Sequence, residues 1–133
     1  MKIFVDASFF VALAKKDDSC HQKAKEIINS ISGVELYTAF YIIDEAATVL
    51  TIKTSKPEAV RFLNSIKQKD FPTILPFNKS DRLKAYDLFK ESKINDISIN
   101  DCISVIIMKK HGIKKCLSFD KHFKKLGFEI ILN

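Results

Sequence analysis

The first eight residues, Met1-Lys2-Ile3-Phe4-Val5-Asp6-Ala7-Ser8, contain the stretch that decides the fold. Apolar side chains with β-branched and aromatic character, from Ile3 to Val5, predict a buried strand that ends on the carboxylate of Asp6. In an open α/β sheet, ligands bind at the carboxyl ends of the strands, where loops and helix N-termini meet. Asp6 is therefore a candidate functional residue, although a cap for the helix beginning near Ser8 is the simpler explanation of this acid taken alone.

The composition predicts one globular domain that spans residues 1–133. Hydrophobic residues make up 47% of the chain and charged residues 29%, and the 3 glycines and 3 prolines leave no obvious linker. The formal charge of +6 favours a polyanionic partner. Much of this charge lies in a basic cluster near the C-terminus, formed by Lys109, Lys110, His111, Lys114, Lys115, Lys121, His122, Lys124 and Lys125. Beside an acidic site, such a cluster can hold a phosphate backbone, although a solvated face is its ordinary explanation.

The cysteines and the first apolar segment predict the cellular compartment. Cys20, Cys102 and Cys116 are widely spaced and form no Cys-x-x-Cys pair, which predicts reduced and mostly buried thiols. The first apolar segment is interrupted by Asp6 and again by Lys15-Lys16, so it resembles neither a secretion signal nor a membrane span. We therefore expect a cytoplasmic protein that does not contact the membrane.

Beyond the first strand, helical spacing of apolar residues alternates with short β-branched or aromatic runs, which predicts an α/β protein with a βαβ rhythm. The predicted helices span residues 8–15, 20–32, 40–54, 55–68, 102–111 and 121–126, and one more begins at Ser80 or Asp81. The other predicted strands span residues 34–37, 73–77, 115–119 and 129–132. We expect Ser19 to cap the second helix, and Pro76 to occupy an edge or terminating position of its strand.

Acids end two of the predicted strands and lie near the starts of two predicted helices. Asp6 and Asp120 are the strand-ending acids, and Asp101 precedes the apolar helix that begins at Cys102. Ser98 and Asp101 have the Ser-x-x-acid spacing of a capping box, which gives Asp101 a purely structural explanation as well.

The fourth acid lies on the helix that begins at Phe40. At about 100° per residue, Glu45 falls just outside the apolar face of this helix, beside Ile42 and Val49. Asp44 falls off the opposite edge of the same face. Helical periodicity therefore leaves both acids open as site residues.

Four acids around one sheet edge cannot all be ionised in a small space unless a cation compensates their charge. Carboxylate oxygens without His or Cys ligands beside them suit Mg²⁺ or Mn²⁺ rather than zinc. Such an ion can activate a water for attack on a phosphodiester and can stabilise the leaving oxygen. Hydrolysis of nucleic acid accounts for the acidic centre and for the basic cluster together.

The four acidic segments together resemble the PIN domain, and most of all the toxin ribonucleases of the VapC type. They are Phe4-Val5-Asp6-Ala7-Ser8, Tyr41-Ile42-Ile43-Asp44-Glu45, Asn100-Asp101-Cys102 and Leu117-Ser118-Phe119-Asp120-Lys121-His122-Phe123. The resemblance extends over the whole chain and implies a three-layer α/β/α sandwich with a mainly parallel central sheet. It also implies an Mg²⁺- or Mn²⁺-dependent endoribonuclease, in which metal-activated water attacks RNA and leaves 5′-phosphate and 3′-hydroxyl ends.

The same resemblance assigns the site residues and the partners. It selects Glu45 over Asp44, and it implies that the metal-binding and catalytic acids are Asp6, Glu45, Asp101 and Asp120, supported by Ser8 and Ser118. Proteins of this type commonly form homodimers and are held inactive by a small antitoxin protein that blocks the acidic groove. None of the histidines is expected to act as a base, because no two of them are arranged to converge on a substrate. Asn100 and Asp96 are expected to be structural.

Three other functions remain open at this point. A PIN-like module without activity would bind RNA or protein only, although the presence of all four acids argues against it. A phosphatase with Asp6 as nucleophile would need a second Asp two residues later, where Ser8 stands. A response-receiver domain would need paired acids after the first strand and a phosphoacceptor Asp after the third, and neither is evident.

Overall fold

The strand Lys2–Val5 (β1) is the centre of the fold, as its apolar sequence predicts. The computed structural model describes residues 1–131, and in this range it contains five strands and seven helices. The remaining strands are Glu35–Thr38 (β2), Thr73–Ile74 (β3), Lys115–Leu117 (β4) and Glu129–Ile130 (β5). The helices are Ala7–Ala14 (α1), His21–Ser30 (α2), Phe40–Lys53 (α3), Lys56–Ser65 (α4), Lys79–Glu91 (α5), Ile99–Lys110 (α6) and His122–Lys125 (α7).

The five strands form one parallel sheet in the order β3-β2-β1-β4-β5. In β1, Phe4 is in register with Tyr37 of β2 on one side and with Cys116 of β4 on the other. The chain proceeds outward from β1 in one direction through β2 and β3, and in the other direction through β4 and β5. The strand order therefore reverses between β1 and β4, and a crevice at this point is the usual binding site of an open α/β sheet.

Helices α1 to α4 pack on one another, and α5 to α7 form a second packed group. This arrangement confirms the predicted three-layer α/β/α sandwich with a parallel central sheet. The interior positions of β1 are fully buried, as expected for a parallel strand that is covered on both faces. Cys102 and Cys116 are also buried and Cys20 is partly exposed, and all three are free thiols, as predicted.

Helix α6 anchors the second helical group in the core. Cys102, Ile103, Ile107 and Met108 of this helix are at most 1% exposed. The helix begins at Ile99, three residues before the predicted start, because Ser98 is its N-cap and the capping box lies in its first turn. Asp101 is therefore inside a rigid, deeply packed helix instead of in a loop before it.

One predicted helix cap and one predicted helix start are wrong. Ser19 does not cap α2, because Cys20 occupies the N-cap position. The backbone N–H of Cys20 donates to Oδ1 of Asp18 at 2.8 Å. Helix α5 begins at Lys79 instead of at the predicted Ser80 or Asp81. Its cap is Asn78, whose side chain can accept from the third helical residue as serine does.

The ends of four strands also differ from the prediction, and β2 ends at Thr38, one residue after the predicted Tyr37. Strand β3 ends at Ile74, before Pro76, and it lies at the edge of the sheet as expected for a strand near proline. Strand β4 ends at Leu117, so Asp120 lies in the loop after the strand instead of at its end. Strand β5 ends at Ile130, so Ile131 lies outside the strand, and the predicted end at Leu132 lies outside the described residues. In the part of the chain that is described, no helix is long and apolar enough to cross a membrane.

Candidate active site

An open cleft of about 530 Å³ lies at the carboxyl edge of the sheet, where the strand order reverses. The four acids that the sequence singles out, Asp6, Glu45, Asp101 and Asp120, all line this acidic cleft. They come from four separate places in the chain: the end of β1, helix α3, the first turn of α6 and the loop after β4. Asp44, the acid that periodicity could not separate from Glu45, is exposed and does not line the cleft.

Asp6 is the most deeply seated of the four acids, with only 6% of its surface exposed. Its Oδ2 accepts hydrogen bonds from the hydroxyls of Ser8, at 3.1 Å, and Ser118, at 3.0 Å. The pKa of Asp6 is raised from 3.8 to about 6, mainly by burial and also by the charges of Asp101 and Glu45, against the opposing effect of the Ser118 hydrogen bond. The folded protein therefore holds this carboxylate at an electrostatic cost.

The two serines that contact Asp6 also fix the loop that carries Asp120. The hydroxyl of Ser8 accepts from the backbone N–H of Phe119 at 3.0 Å, and the hydroxyl of Ser118 accepts from the N–H of Asp120 at 2.9 Å. The serine hydroxyls lie 3.2 Å apart. Ser8 and Ser118 thus join the start of α1 to the loop after β4, and they set the spacing of Asp6 and Asp120.

Asp101 lies in the first turn of α6 and takes part in the predicted capping box, which the structure confirms. Its backbone N–H donates to the hydroxyl of Ser98 at 3.0 Å, and its Oδ2 accepts from the N–H of Ser98 at 3.3 Å. Burial is the main cause that raises the pKa of Asp101, and the nearby charge of Asp120 adds to it. The same carboxylate therefore caps the helix and lines the acidic cleft.

A histidine lies among the acids, contrary to the expectation that no imidazole is close to them. Nδ1 of His122 is 2.8 Å from Oδ1 of Asp120 and 3.5 Å from Oδ2 of Asp101. Nε2 of the same ring is 3.0 Å from Oδ2 of Asp96, which also lines the cleft. Three possible ligand atoms lie within 4.8 Å of one another, one each from Asp101, Asp120 and His122.

Sequence reasoning missed this role of His122 and Asp96, and one local signal was available. His122 follows Asp120 by two residues, and its backbone N–H donates to Oδ1 of Asp120 at 2.9 Å. An Asp that accepts from the N–H two residues later forms a tight turn, which brings the two side chains together. Nothing in the sequence indicates the contact with Asp96, which lies before α6.

Asn100, also expected to be structural, contacts a candidate acid. Its Nδ2 donates to Oε1 of Glu45 at 3.3 Å. This hydrogen bond joins the first turn of α6 to α3. It therefore links the orientation of Glu45 to the helix that carries Asp101.

The basic cluster does not form one free face. Lys110 pairs with the buried carboxylate of Asp81 at 3.0 Å, and Lys115 pairs with Glu129 at 3.2 Å. Lys53, which the charge pattern did not single out, lies at the end of α3 and lines the acidic cleft.

The residues of the cleft fit a divalent cation. Carboxylate oxygens are the ligands that Mg²⁺ and Mn²⁺ prefer, and the donors of Asp101, Asp120 and His122 are close enough to share one ion. The raised pKa values of Asp6 and Asp101 show that burial and mutual repulsion disfavour ionisation of these acids in the protein alone. A bound cation would relieve that repulsion.

The parallel sheet with acids at its reversal point defines an α/β protein with an acidic cleft that fits a divalent cation. The chain belongs to the PIN domain family. The model of this family, described as PIN domain, matches residues 3–129. PIN domains are metal-dependent nucleases.

Similarity to particular proteins extends over nearly the whole chain. The "23S rRNA-specific endonuclease VapC20" of Mycobacterium tuberculosis is 27% identical over 126 residues, which cover 95% of each protein. A crystal structure of VapC20, titled a "Sarcin-Ricin loop cleaving toxin", superimposes with a TM-score of 0.87 at 25% identity over 95% of each chain. The "Ribonuclease VapC1" of Aquifex aeolicus is 28% identical over 133 residues, which cover 98% of this chain and 89% of that protein.

Proposed function

We propose that this protein is an endoribonuclease of the VapC type that hydrolyses RNA phosphodiesters with Mg²⁺ or Mn²⁺, and that it functions as one domain over residues 1–133. The observation that carries the proposal is the convergence of four acids from separate elements in one cleft of a PIN domain. We assign Asp6, Glu45, Asp101 and Asp120 as the acids that hold the metal. When bound, the ion supplies positive charge that favours ionisation of an attacking water and offsets charge on the phosphate.

The other residues of the cleft have roles that follow from their contacts. Ser8 and Ser118 orient the carboxylate of Asp6 through hydrogen bonds to Oδ2. Asn100 orients Glu45 in the same way. The ammonium group of Lys53 supplies a positive charge at the cleft for a phosphate of the substrate.

The substrate class that we propose is RNA, in single-stranded or structured form. Support comes from the names of two relatives, an rRNA-specific endonuclease and a ribonuclease. The net charge of +6 also favours a polyanion over a neutral substrate. We further propose a small antitoxin protein as partner, since VapC20 is titled a toxin. The resemblance to VapC-type ribonucleases is the basis on which we also propose a homodimer and a cytoplasmic location.

The test is cleavage of a mixed pool of single-stranded and hairpin RNAs by purified protein. We expect products with 5′-phosphate ends in Mn²⁺ or Mg²⁺ and none in EDTA. Asp101→Asn should lower the rate at least 100-fold, because it removes a charged ligand and keeps the shape of the side chain. Asp44→Asn is the matched control, since Asp44 is exposed outside the cleft, and it should change the rate less than twofold.

Two results would contradict the proposal. Cleavage that persists in EDTA, or that Asp101→Asn leaves unchanged, would exclude the acidic cleft as the site of a metal-dependent reaction. Absence of cleavage, together with RNA binding that requires the same cleft, would favour the module without activity. Hydrolysis of a phosphate monoester such as p-nitrophenyl phosphate would instead favour the phosphatase.

A further inference from the structure

His122 is a residue of the acidic cleft for which the proposed function so far gives no role. Its side chain is 19% exposed, and it lies between Asp96 on one side and the Asp101 and Asp120 pair on the other. The buried Nδ1 atom makes no hydrogen bond to any described residue, although an oxygen of Asp120 is only 2.8 Å away. A buried polar atom without a partner is costly, so its position needs a physical reason.

The contact with Asp96 determines which ring nitrogen has a free lone pair. Nε2 lies at hydrogen-bonding distance from the Asp96 carboxylate, which can only accept, so Nε2 carries the proton. In the neutral ring, Nδ1 then presents a lone pair toward Asp101 and Asp120. A carboxylate that accepts from one nitrogen while the other faces a metal is the usual outer partner of a metal-binding histidine.

The distances around Nδ1 agree with a shared ion. Ligand atoms in neighbouring positions around a six-coordinate ion, with bonds of about 2.1 Å, lie about 3 Å apart. Nδ1 is 2.8 Å from the oxygen of Asp120 and 3.5 Å from that of Asp101, which brackets this value.

We propose that Nδ1 of His122 is a metal ligand together with Asp101 and Asp120, and that Asp96 orients the ring for this purpose. The inference rests on the proposed function only in so far as the cleft binds a divalent ion. Imidazole nitrogen prefers transition-metal ions to Mg²⁺. The mixed nitrogen and oxygen donor set therefore makes the site favour Mn²⁺ over Mg²⁺, which an all-carboxylate site would not do to the same degree.

The test measures metal binding directly, without RNA. Pulsed electron paramagnetic resonance of bound Mn²⁺ detects coupling to a coordinated nitrogen, and calorimetry gives the affinities for Mn²⁺ and Mg²⁺. His122→Gln is the informative variant, because glutamine can keep a donor toward Asp96 but has no lone pair where Nδ1 stands. His21→Gln is its matched control, since Nδ1 of His21 is 2.7 Å from the carbonyl oxygen of Ala12, outside the acidic cleft.

We expect nitrogen coupling in the wild type and in His21→Gln, and its loss in His122→Gln. Mn²⁺ affinity should fall at least tenfold in His122→Gln, and Mg²⁺ affinity should fall less. Asp96→Asn should weaken Mn²⁺ binding 10- to 100-fold, as loss of an outer partner does. His122→Asn, which puts an oxygen near the position of Nδ1, should retain Mn²⁺ binding better than His122→Gln, and this comparison separates coordination from folding.

The outcomes separate this inference from the proposed nuclease function. If Mn²⁺ binds without nitrogen coupling and His122→Gln binds it as well as the wild type, His122 is not a ligand, and the nuclease proposal stands. Tighter Mn²⁺ binding in His122→Gln would show that the ring competes with the metal as a cation, and would also overturn the inference. If the wild type binds no Mn²⁺ and cleaves no RNA, the metal site and the nuclease function fail together.

Discussion

Replacement of Asp6 by Asn should stabilise the metal-free protein while it abolishes cleavage. Asp6 is 6% exposed, and burial together with the charges of Asp101 and Glu45 raises its pKa from 3.8 to about 6. Asparagine has nearly the same shape and can still accept from Ser8 and Ser118 through its oxygen. The substitution therefore removes the buried charge and preserves the packing around it.

The size of the effect follows from the two pKa values. Between pH 3.8 and about 6 the unfolded chain has released a proton that the folded protein still holds, so ionised Asp6 destabilises the fold increasingly as pH rises. The full difference between the two pKa values corresponds to a loss of about 3 kcal/mol of folding free energy above pH 7. Near pH 4 this loss is only about 0.5 kcal/mol. Asp6→Asn should therefore raise the free energy of unfolding by up to about 3 kcal/mol at pH 7.5 and by much less at pH 4.

The assay is urea unfolding in EDTA at both pH values, with Asp44→Asn as the exposed control, which should shift stability by less than about 0.5 kcal/mol. Saturating Mn²⁺ should reduce or reverse this gain in the free energy of unfolding. The ion stabilises the wild type by mass action, and it binds the variant less tightly because one ligand is missing. A variant no more stable than the wild type at pH 7.5 would refute the reasoning. The same conclusion would follow from a gain that does not depend on pH.

Two further substitutions test the contacts around the cleft. Glu45→Gln should lower the rate of RNA cleavage at least 100-fold in Mn²⁺, measured beside Asp44→Asn on the same helix, and equal rates for the two variants would exclude Glu45 from the site. Ser98→Ala should reduce the free energy of unfolding by about 1 kcal/mol in urea, because it removes the hydroxyl that accepts from the N–H of Asp101 at 3.0 Å, and unchanged stability would show that the cap contributes little.

The elements of the fold could be predicted because local sequence signals determine them. The apolar run from Ile3 to Val5 predicts β1, and Ser98 and Asp101 predict the capping box that the structure contains. The wrong helix starts came from competing caps of similar propensity. Asn78 caps α5, so the helix begins at Lys79 and not at the predicted Ser80 or Asp81, and no local rule ranks asparagine, serine and aspartate reliably as caps.

The arrangement of the cleft could be predicted only in part, because it depends on packing between distant segments. Strand-end acids such as Asp6 are visible in a sequence, since parallel strands bring their carboxyl ends to one edge. The choice between Asp44 and Glu45 needed either the family resemblance or the packing of α3, which leaves Asp44 exposed. The contact of His122 with Asp96 joins α7 to the segment before α6, and no periodicity specifies such a pair.

Asp101 shows why structural and functional explanations of one residue need not compete. Its capping bonds to Ser98 fix the first turn of α6, and the buried core side chains of the same helix fix the turn against the sheet. The oxygen that accepts from Ser98, Oδ2, is also the one that lies 3.5 Å from His122. A ligand on a mobile loop would lose conformational entropy when the ion binds. Asp101 is already ordered by its capping bonds in the folded protein, so ion binding does not carry this cost. The capping box thus preorganises the acid that the proposed metal site requires.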